Sequence, residues 1–275
     1  MEKKEKHNMV SGQSVAITGA AGGIGRAIAE KCIAAGAKVA ISDINEELVN
    51  QTAKEIGASP FVCDVADEMA VKAFIEGAEA VNGPIDMFVS NAGVGFSDEP
   101  GGHAAGGSNE GWELSWKINT MSNVYASRYL LPQWLERKDA DVAGRFVVVA
   151  SAAGLLAQVN TASYTVTKHG ALAFAEYMAI MHKGDNVCVH CICPQYVQTN
   201  MTKGMKVITE GPDKHIMPSD VANALFASME KGEFLVLPHP VIGDYFQAKA
   251  ANFDRYIGGM SKQLRTAQTP VGLKK

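Results

Sequence analysis

Ser14-Val-Ala-Ile-Thr18-Gly19-Ala20-Ala21-Gly22-Gly23-Ile24-Gly25 decides how the rest of the chain is read. The uncharged, partly β-branched run Ser14 to Thr18 predicts a buried strand, and the glycines predict a sharp turn into a helix from about Ile24 to Ala35. Glycine lets a backbone turn tightly and come close to another group. A helix start offers free N–H groups and the positive end of the dipole, so this unit suits a pyrophosphate. Asp43 ends the next apolar run, Lys38 to Asp43, eighteen residues past Gly25. That is near the roughly 20-residue spacing of the acid that holds an adenosine ribose. N-capping of the following helix is the other role open to Asp43. Gly19, Ala21, Gly23, Ile24, Gly25, Asp43 and Ile44 are therefore candidates for holding a dinucleotide. No Arg or Lys stands in the turn or directly after Asp43 to attract a 2′-phosphate, so NAD is expected rather than NADP. Asp64, with Val65, follows the third apolar run, where it either meets the adenine edge or caps a helix beginning near Asp67.

Outward from this unit, short apolar runs alternate with amphipathic segments. Further strands are expected at Pro60–Cys63, Ile85–Val89, Arg145–Ala150, Val187–Cys193 and Phe234–Leu237. Helices are expected through Leu48 and Ile56, over Val71 to Ala78, from Trp112 to Glu136 and from Tyr164 to His182. The strands are continuously apolar, as they are when helices cover both faces of a parallel sheet. This predicts an α/β fold, a doubly wound parallel sheet of about seven strands in a single Rossmann-type domain over residues 12–238. Ligands of such sheets bind beyond the carboxyl ends of the strands. Residues 1–11 read as a flexible, solvated N-terminal tail. Residues 239–275 read as an extension with one amphipathic segment, Tyr245 to Ile257, and a polar end that covers the active site or touches another subunit.

The 275 residues are 47% apolar and 20% charged with a net charge of −4, which excludes disorder over most of the length. A pI near 6.0 argues against a nucleic-acid binder. No run of 18 apolar residues suggests a membrane span, and the charged start lacks the apolar region of a secretory signal, so a cytoplasmic location is expected. Five cysteines form no disulfide-scaffold spacing. Cys188 and Cys191 lie on a predicted strand at a separation that sends them to opposite faces, so no metal site is expected.

Tyr164 and Lys168 are spaced i, i+4 and share one helix face. A phenol is a poor base at neutral pH, and a neighbouring ammonium favours its phenolate. Ser151 ends the fifth strand and carries a hydroxyl into the same crevice.

Combined in this order, the motifs make the chain resemble a short-chain dehydrogenase/reductase from about Gly12 to Pro238. The family's Thr-Gly-x-x-x-Gly-x-Gly stands at Thr18 to Gly25 and its Asn-Asn-Ala-Gly at Ser90-Asn91-Ala92-Gly93. Its helix Asn is Asn119, its Ser is Ser151, and its Tyr-x-x-x-Lys runs from Tyr164 to Lys168. Pro194-Gln195-Tyr196-Val197-Gln198-Thr199 matches the family's Pro-Gly-x-x-x-Thr, with Gln195 where the family has Gly to leave room beside the nicotinamide. The resemblance implies an NAD-dependent alcohol dehydrogenase or ketoreductase. Tyr164 would exchange the proton and Ser151 would steady the substrate oxygen. Lys168 would bind the nicotinamide ribose and lower the Tyr164 pKa, and Asn119 would hold a water linking Lys168 to solvent. Asn91, Ala92 and Gly93 would wall the cofactor, joined by Tyr164, Lys168, Pro194, Val197 and Thr199.

In the family layout Gly95, Phe96, Ala153, Leu155, Gln158, Tyr196, Met201 and Met205 border the catalytic group. They lack a cation, which favours a secondary alcohol or ketone on a neutral hydrophobic or aromatic body. Several of them read equally well as core. Residues 95–111 and 199–217 are irregular stretches placed to border substrate; the glycine-rich 95–111 loop reads equally as an idle surface insertion, and its His103 either touches substrate or is idle. The resemblance further implies a homo-dimer or homo-tetramer, with helices 112–136 and 164–182 as the interface. A regulator or scaffold that binds NAD without turnover is the alternative.

Overall fold

The apolar runs become parallel strands of one sheet in a computed structural model, which describes residues 9–99, 102–137, 143–204 and 207–268. The strands are β1 Ser14–Thr18, β2 Lys38–Asp43, β3 Ser59–Val62, β4 Met87–Ser90, β5 Gly144–Val149, β6 Val187–Ile192 and β7 Leu235–Val236. They lie in the order β3-β2-β1-β4-β5-β6-β7, so the winding direction reverses between β1 and β4. The crevice at that reversal is where such a sheet receives ligands.

Helices cover both faces. One core joins Ala16, Phe88, Phe146 and Val148 to Phe74 of α3 (Glu68–Asn82), Leu130 and Trp134 of α5 (Ser122–Leu135) and Ala171 of α6 (Ala162–Met181). The opposite core joins Val15, Ile17, Val89 and Val147 to Ile28 of α1 (Gly23–Ala34), Val49 of α2 (Glu46–Ile56) and Leu225 of α7 (Pro218–Lys231). Alternate residues of one strand feed opposite cores, which is why the runs carry no polar phase. Each large aliphatic or aromatic side chain so buried is worth about 1.5–3 kcal/mol of transfer free energy.

Local signals place the helix starts. Asn45 caps α2 by accepting from Leu48 N–H at 3.0 Å, and Asp67 caps α3 by accepting from Met69 N–H at 2.8 Å. Neither Asp43 nor Asp64 serves as the cap of the following helix, which settles that alternative for both.

Three expectations are corrected. The long helix over 112–136 is interrupted: α4 (Asn109–Trp116) passes into a π-helical turn, Lys117–Met121, before α5 begins. Apolar periodicity cannot resolve one inserted residue in a continuous helix. The tail forms two helices, α8 (Val241–Ala251) and α9 (Phe253–Gln268), broken at the extended residue Asn252. The single amphipathic segment expected over Tyr245 to Ile257 is thus split, and the polar end beyond it is helical to Gln268, its Lys, Gln, Leu and Arg being good helix formers. The solvated start ends before residue 11, because Val10 is fully buried in the α1-side core and the Gly12 N–H donates to the Gly36 carbonyl at 2.9 Å. Residues 1–8 lie outside the described residues.

Candidate active site

A cleft of about 430 Å³ opens at the carboxyl edge of the sheet, walled by the β1–α1 turn, the ends of β2 to β6 and the start of α6. Backbone clearance shapes its floor. Gly19 has φ +62°, and a Cβ there would stand 2.7 Å from the Ala92 Cα. A Cβ on Gly25 would stand 2.6 Å from Asn91 Nδ2. The Asn91 amide donates to the carbonyls of Thr18 at 2.9 Å and Gly19 at 2.8 Å, tying β4 to the turn after β1. Gly22, the residue before α1, supplies no side-chain cap, and the first turn holds no acidic residue. The N–H groups and positive dipole end of α1 therefore stay available to an anion.

Asp43 is fixed rather than free. Its carboxylate accepts from the backbone N–H of Ala21 at 3.2 Å and of Asn45 at 3.1 Å. Ile44, Asp64 and Val65 line the same end of the cleft. The nearby cation Arg26 is already paired with Glu30 at 2.9 Å and Glu55 at 2.8 Å. The cradle a Cβ would fill, the uncapped helix start and the carboxylate of Asp43 at the same end of the cleft together fit a dinucleotide.

At the other end lies the hydroxyl and ammonium group. Ser151 follows β5, with its Oγ accepting from the Ala153 N–H at 3.1 Å. Tyr164 and Lys168 face the same way on α6, with Lys168 Nζ 5.7 Å from the centre of the Tyr164 ring. Lys168 is 3% exposed and donates to the Val149 carbonyl at 2.9 Å. Burial lowers its pKa to about 8. Tyr164 departs from the expectation of a depressed pKa. Burial raises the phenol above its ordinary value, and the opposing, lowering influence comes from the Ser151 hydroxyl. In a low-dielectric pocket the cost of charging the phenol outweighs its favourable neighbours.

Glycines clear this end too. A Cβ on Gly93 would stand 3.1 Å from Lys168 Nζ, one on Gly95 3.4 Å from the Tyr164 ring, and one on Gly154 2.7 Å from the Lys168 carbonyl. Asn119 sits in the π-helical turn behind Lys168. Its side chain accepts from the Val94 N–H at 3.0 Å and donates to the Val94 carbonyl at 2.9 Å and to Thr167 Oγ1 at 3.0 Å. Those bonds use both amide hydrogens, so this side chain braces the β4 loop against α6.

Gly23, Ile24, Ala92, Pro194, Val197 and Thr199 line the cleft as expected, while Gly25 lies buried beneath it. Gln195 lines it as well, with no positive φ to mark strain, and its Oε1 is buried without a partner. The sequence reading also missed Leu48, Val94, Ile118 and Asn200 as wall residues. They carry no chemistry-bearing side-chain pattern, and only the fold brings them there.

The substrate candidates separate. Met201 lines the cleft, and a side chain at Gly95 would meet the Tyr164 ring. Ala153 and Leu155 are each 3% exposed and belong to the core. Phe96 is partly exposed, Gln158 is exposed and bonds through its backbone to Thr165, and Tyr196 stacks on His215 at 5.0 Å. Met205 lies outside the described residues. His103 is exposed and accepts from the Ala105 N–H. The 95–111 loop is anchored at Asp98, which accepts from the Ala162 N–H at 2.8 Å at the start of α6. Cys191 is buried and Cys188 partly exposed, and no group of three metal-ligating side chains occurs among the described residues.

Comparison with known proteins agrees with this geometry. The family model described as short chain dehydrogenase matches residues 13–207. A 3beta-hydroxysteroid dehydrogenase 2 of Eggerthella lenta is 31% identical over 211 residues, covering 74% of this chain and 79% of that protein. A meso-2,3-butanediol dehydrogenase of Serratia marcescens is 32% identical over 197 residues, covering 69% of this chain and 73% of that one. The crystal structure of a 3-ketoacyl-(acyl-carrier-protein) reductase from Brucella melitensis complexed with NADH superposes with a TM-score of 0.76. That structure is 25% identical and covers 83% of this chain and 96% of that one. The seven-stranded parallel sheet, the glycine cradle and these matches over most of the length place the chain in the short chain dehydrogenase family.

Proposed function

We propose that the protein is an NAD-dependent oxidoreductase acting on a secondary alcohol or ketone borne on a neutral hydrophobic or aromatic body, with Tyr164 as acid and base. The observation that carries the reading is Tyr164 beside buried Lys168, at the lip of a cleft whose far end is the glycine cradle. When bound, the nicotinamide supplies the hydride acceptor for oxidation and the hydride donor for reduction. Tyr164 takes the proton of the substrate hydroxyl in oxidation and returns it in reduction. Ser151 donates its O–H to the same oxygen, while its Oγ accepts the Ala153 N–H. Lys168 holds a ribose and opposes, as a cation, the burial that keeps the phenol neutral. Asn119 fixes the loop at Val94 and would hold a water linking Lys168 to solvent.

Asp43, held by two backbone N–H groups, would accept from ribose hydroxyls and repel a 2′-phosphate. Among the described residues, Lys168 is the one cation lining the cleft, which supports a neutral substrate. Both relatives are named for hydroxyl-bearing substrates, in keeping with the alcohol and ketone class. Exposed Leu114 and Trp116 on α4 and Tyr177, Ile180 and Met181 on α6 support an assembly, a dimer or tetramer, through these helices. No helix among the described residues is long and apolar enough to cross a membrane, in keeping with a cytoplasmic place of work.

The test is purified protein with NAD⁺ or NADP⁺ and a panel of secondary alcohols, read as formation of the reduced cofactor. NADH should form, with kcat/KM for NAD⁺ at least about tenfold above that for NADP⁺ because like charges oppose each other at Asp43. Tight NAD⁺ binding with no turnover on any alcohol or ketone would instead make the protein a regulator.

A further inference from the structure

Beyond residue 207, where the family match ends, side chains of the C-terminal extension reach back to residues 155–157, just past Ser151, and to Gln195 of the cleft wall with Asp213 and Lys214 beside it. On α8, Lys249 Nζ donates to the Leu155 carbonyl at 2.7 Å, and on α9 the Tyr256 hydroxyl accepts from the Ala157 N–H at 2.7 Å. The Lys249 ammonium also lies over the rings of Phe253 at 5.7 Å and Tyr256 at 5.6 Å, binding the two helices to each other. On the facing side, the Tyr245 hydroxyl donates to Asp213 Oδ2 at 3.1 Å. His239 accepts the Gln195 N–H on Nδ1 at 3.3 Å and so carries its proton on Nε2, which donates to the Lys214 carbonyl at 3.0 Å.

We infer that Lys249 and Tyr256 are positioning residues that fix the Leu155–Gln158 loop and thereby set which alcohol the site accepts. The inference rests on the function proposed above. The loop starts four residues past Ser151, and its far end is held by the Gln158 N–H to Thr165 Oγ1 at 3.0 Å. Between those anchors, the Leu155 carbonyl and the Ala157 N–H find their side-chain partners in the extension. Among the described residues, Lys249 pairs with no carboxylate and instead meets a carbonyl and two ring faces. Packing alone would be served by an apolar side chain there, so the ammonium is retained for a directed bond to the loop. Tyr245 and His239 hold Asp213, Lys214 and Gln195 from the same extension, so one element ties the segment after Ser151 to Gln195 of the cleft wall.

The experiment compares full-length wild type, Lys249→Met, Tyr256→Phe, the double variant and Lys249→Arg on secondary alcohols graded from small aliphatic to bulky cyclic, with NAD⁺. Lys249→Met should raise KM for the preferred alcohol about tenfold with kcat within about twofold, and should flatten the ranking of alcohols. NAD⁺ affinity should stay unchanged, and Lys249→Arg should restore KM. In amide hydrogen exchange without any ligand, the Ala157 amide should exchange faster in Tyr256→Phe and in the double variant. Unchanged KM and ranking, or a joint fall of kcat, NAD⁺ affinity and melting temperature in every variant, would overturn the inference. If wild type oxidises no alcohol, the function proposed above fails, and exchange at Ala157 still decides whether the extension holds the loop.

Discussion

Two cations are buried against the sheet, one toward each end, and their surroundings differ. Lys168, toward the carboxyl end, has a carbonyl partner, a tyrosine ring beside it and glycines on two sides that leave it room. Arg145, at the start of β5, is 6% exposed, and its Nε and Nη1 are buried with no partner. Burial lowers the pKa of both. A buried charge therefore does not by itself mark a working site. What distinguishes Lys168 is the open cleft it lines and the backbone built to clear it, whereas Arg145 lines no part of that cleft.

The largest expected contrast comes from removing each charge. Lys168→Met should lower turnover about 100- to 1000-fold, in the range of a lost acid–base group. Arg145→Met should leave turnover within about twofold and raise stability by about 1–2 kcal/mol, since an uncompensated charge leaves the interior. Steady-state kinetics and thermal melts of the two variants check this, and a destabilised Arg145→Met protein would show that the guanidinium has partners worth keeping.

The next contrast is in pH. His190, on the same side of the sheet as Arg145, is held near pKa 4 by burial, with Nδ1 against the Glu233 carbonyl at 2.7 Å. The unfolded chain takes up this proton below about pH 6.5 while the folded protein refuses it. Stability should therefore fall as pH drops from about 6.5 to about 4, by roughly 3 kcal/mol, and level off below. Urea melts across that window should show the slope, and His190→Gln should flatten it. A slope unchanged in that variant assigns the effect elsewhere.

The smallest contrast pairs two glycines. Gly25→Ala places a Cβ against the Asn91 amide and should weaken NAD⁺ binding about tenfold, because the turn after β1 loses its tie to β4. Gly144→Ala drives a Cβ to 2.0 Å from the Trp134 ring at the other end. It should cost about 1–3 kcal/mol of stability and leave NAD⁺ affinity alone. Calorimetric titration against thermal melts separates the two.

The nucleotide half of the cleft was legible in residues 14–43 because its determinants are local. A strand, glycines at fixed offsets and an acid at a strand end lie close together in the chain. The side chains proposed to be catalytic were legible through one helical spacing, Tyr164 to Lys168, and through the ordered motifs around it. The substrate wall was not. Leu155 and Ala153 are core, while Ile118, Val94 and Asn200 reach the cleft only through the fold. Hydropathy cannot distinguish an apolar residue that lines a crevice from one packed behind it. The π-helical turn at Asn119 and the role of Gly154 beside Lys168 were invisible for the same reason: each depends on a single close approach between distant segments. The sign of the Tyr164 shift was misjudged because spacing reveals a neighbour's charge but not the depth of burial that opposes it.

The central claim is that the hydroxyl of Tyr164 carries the proton beside a bound dinucleotide. Tyr164→Phe, which removes that oxygen and keeps the ring, tests it when NAD⁺ binding and alcohol-dependent NADH formation are measured on the same sample. The account predicts NAD⁺ affinity within about twofold of wild type and turnover reduced at least about 1000-fold. Turnover near the wild-type rate with intact binding would contradict it, because another group would then be moving the proton.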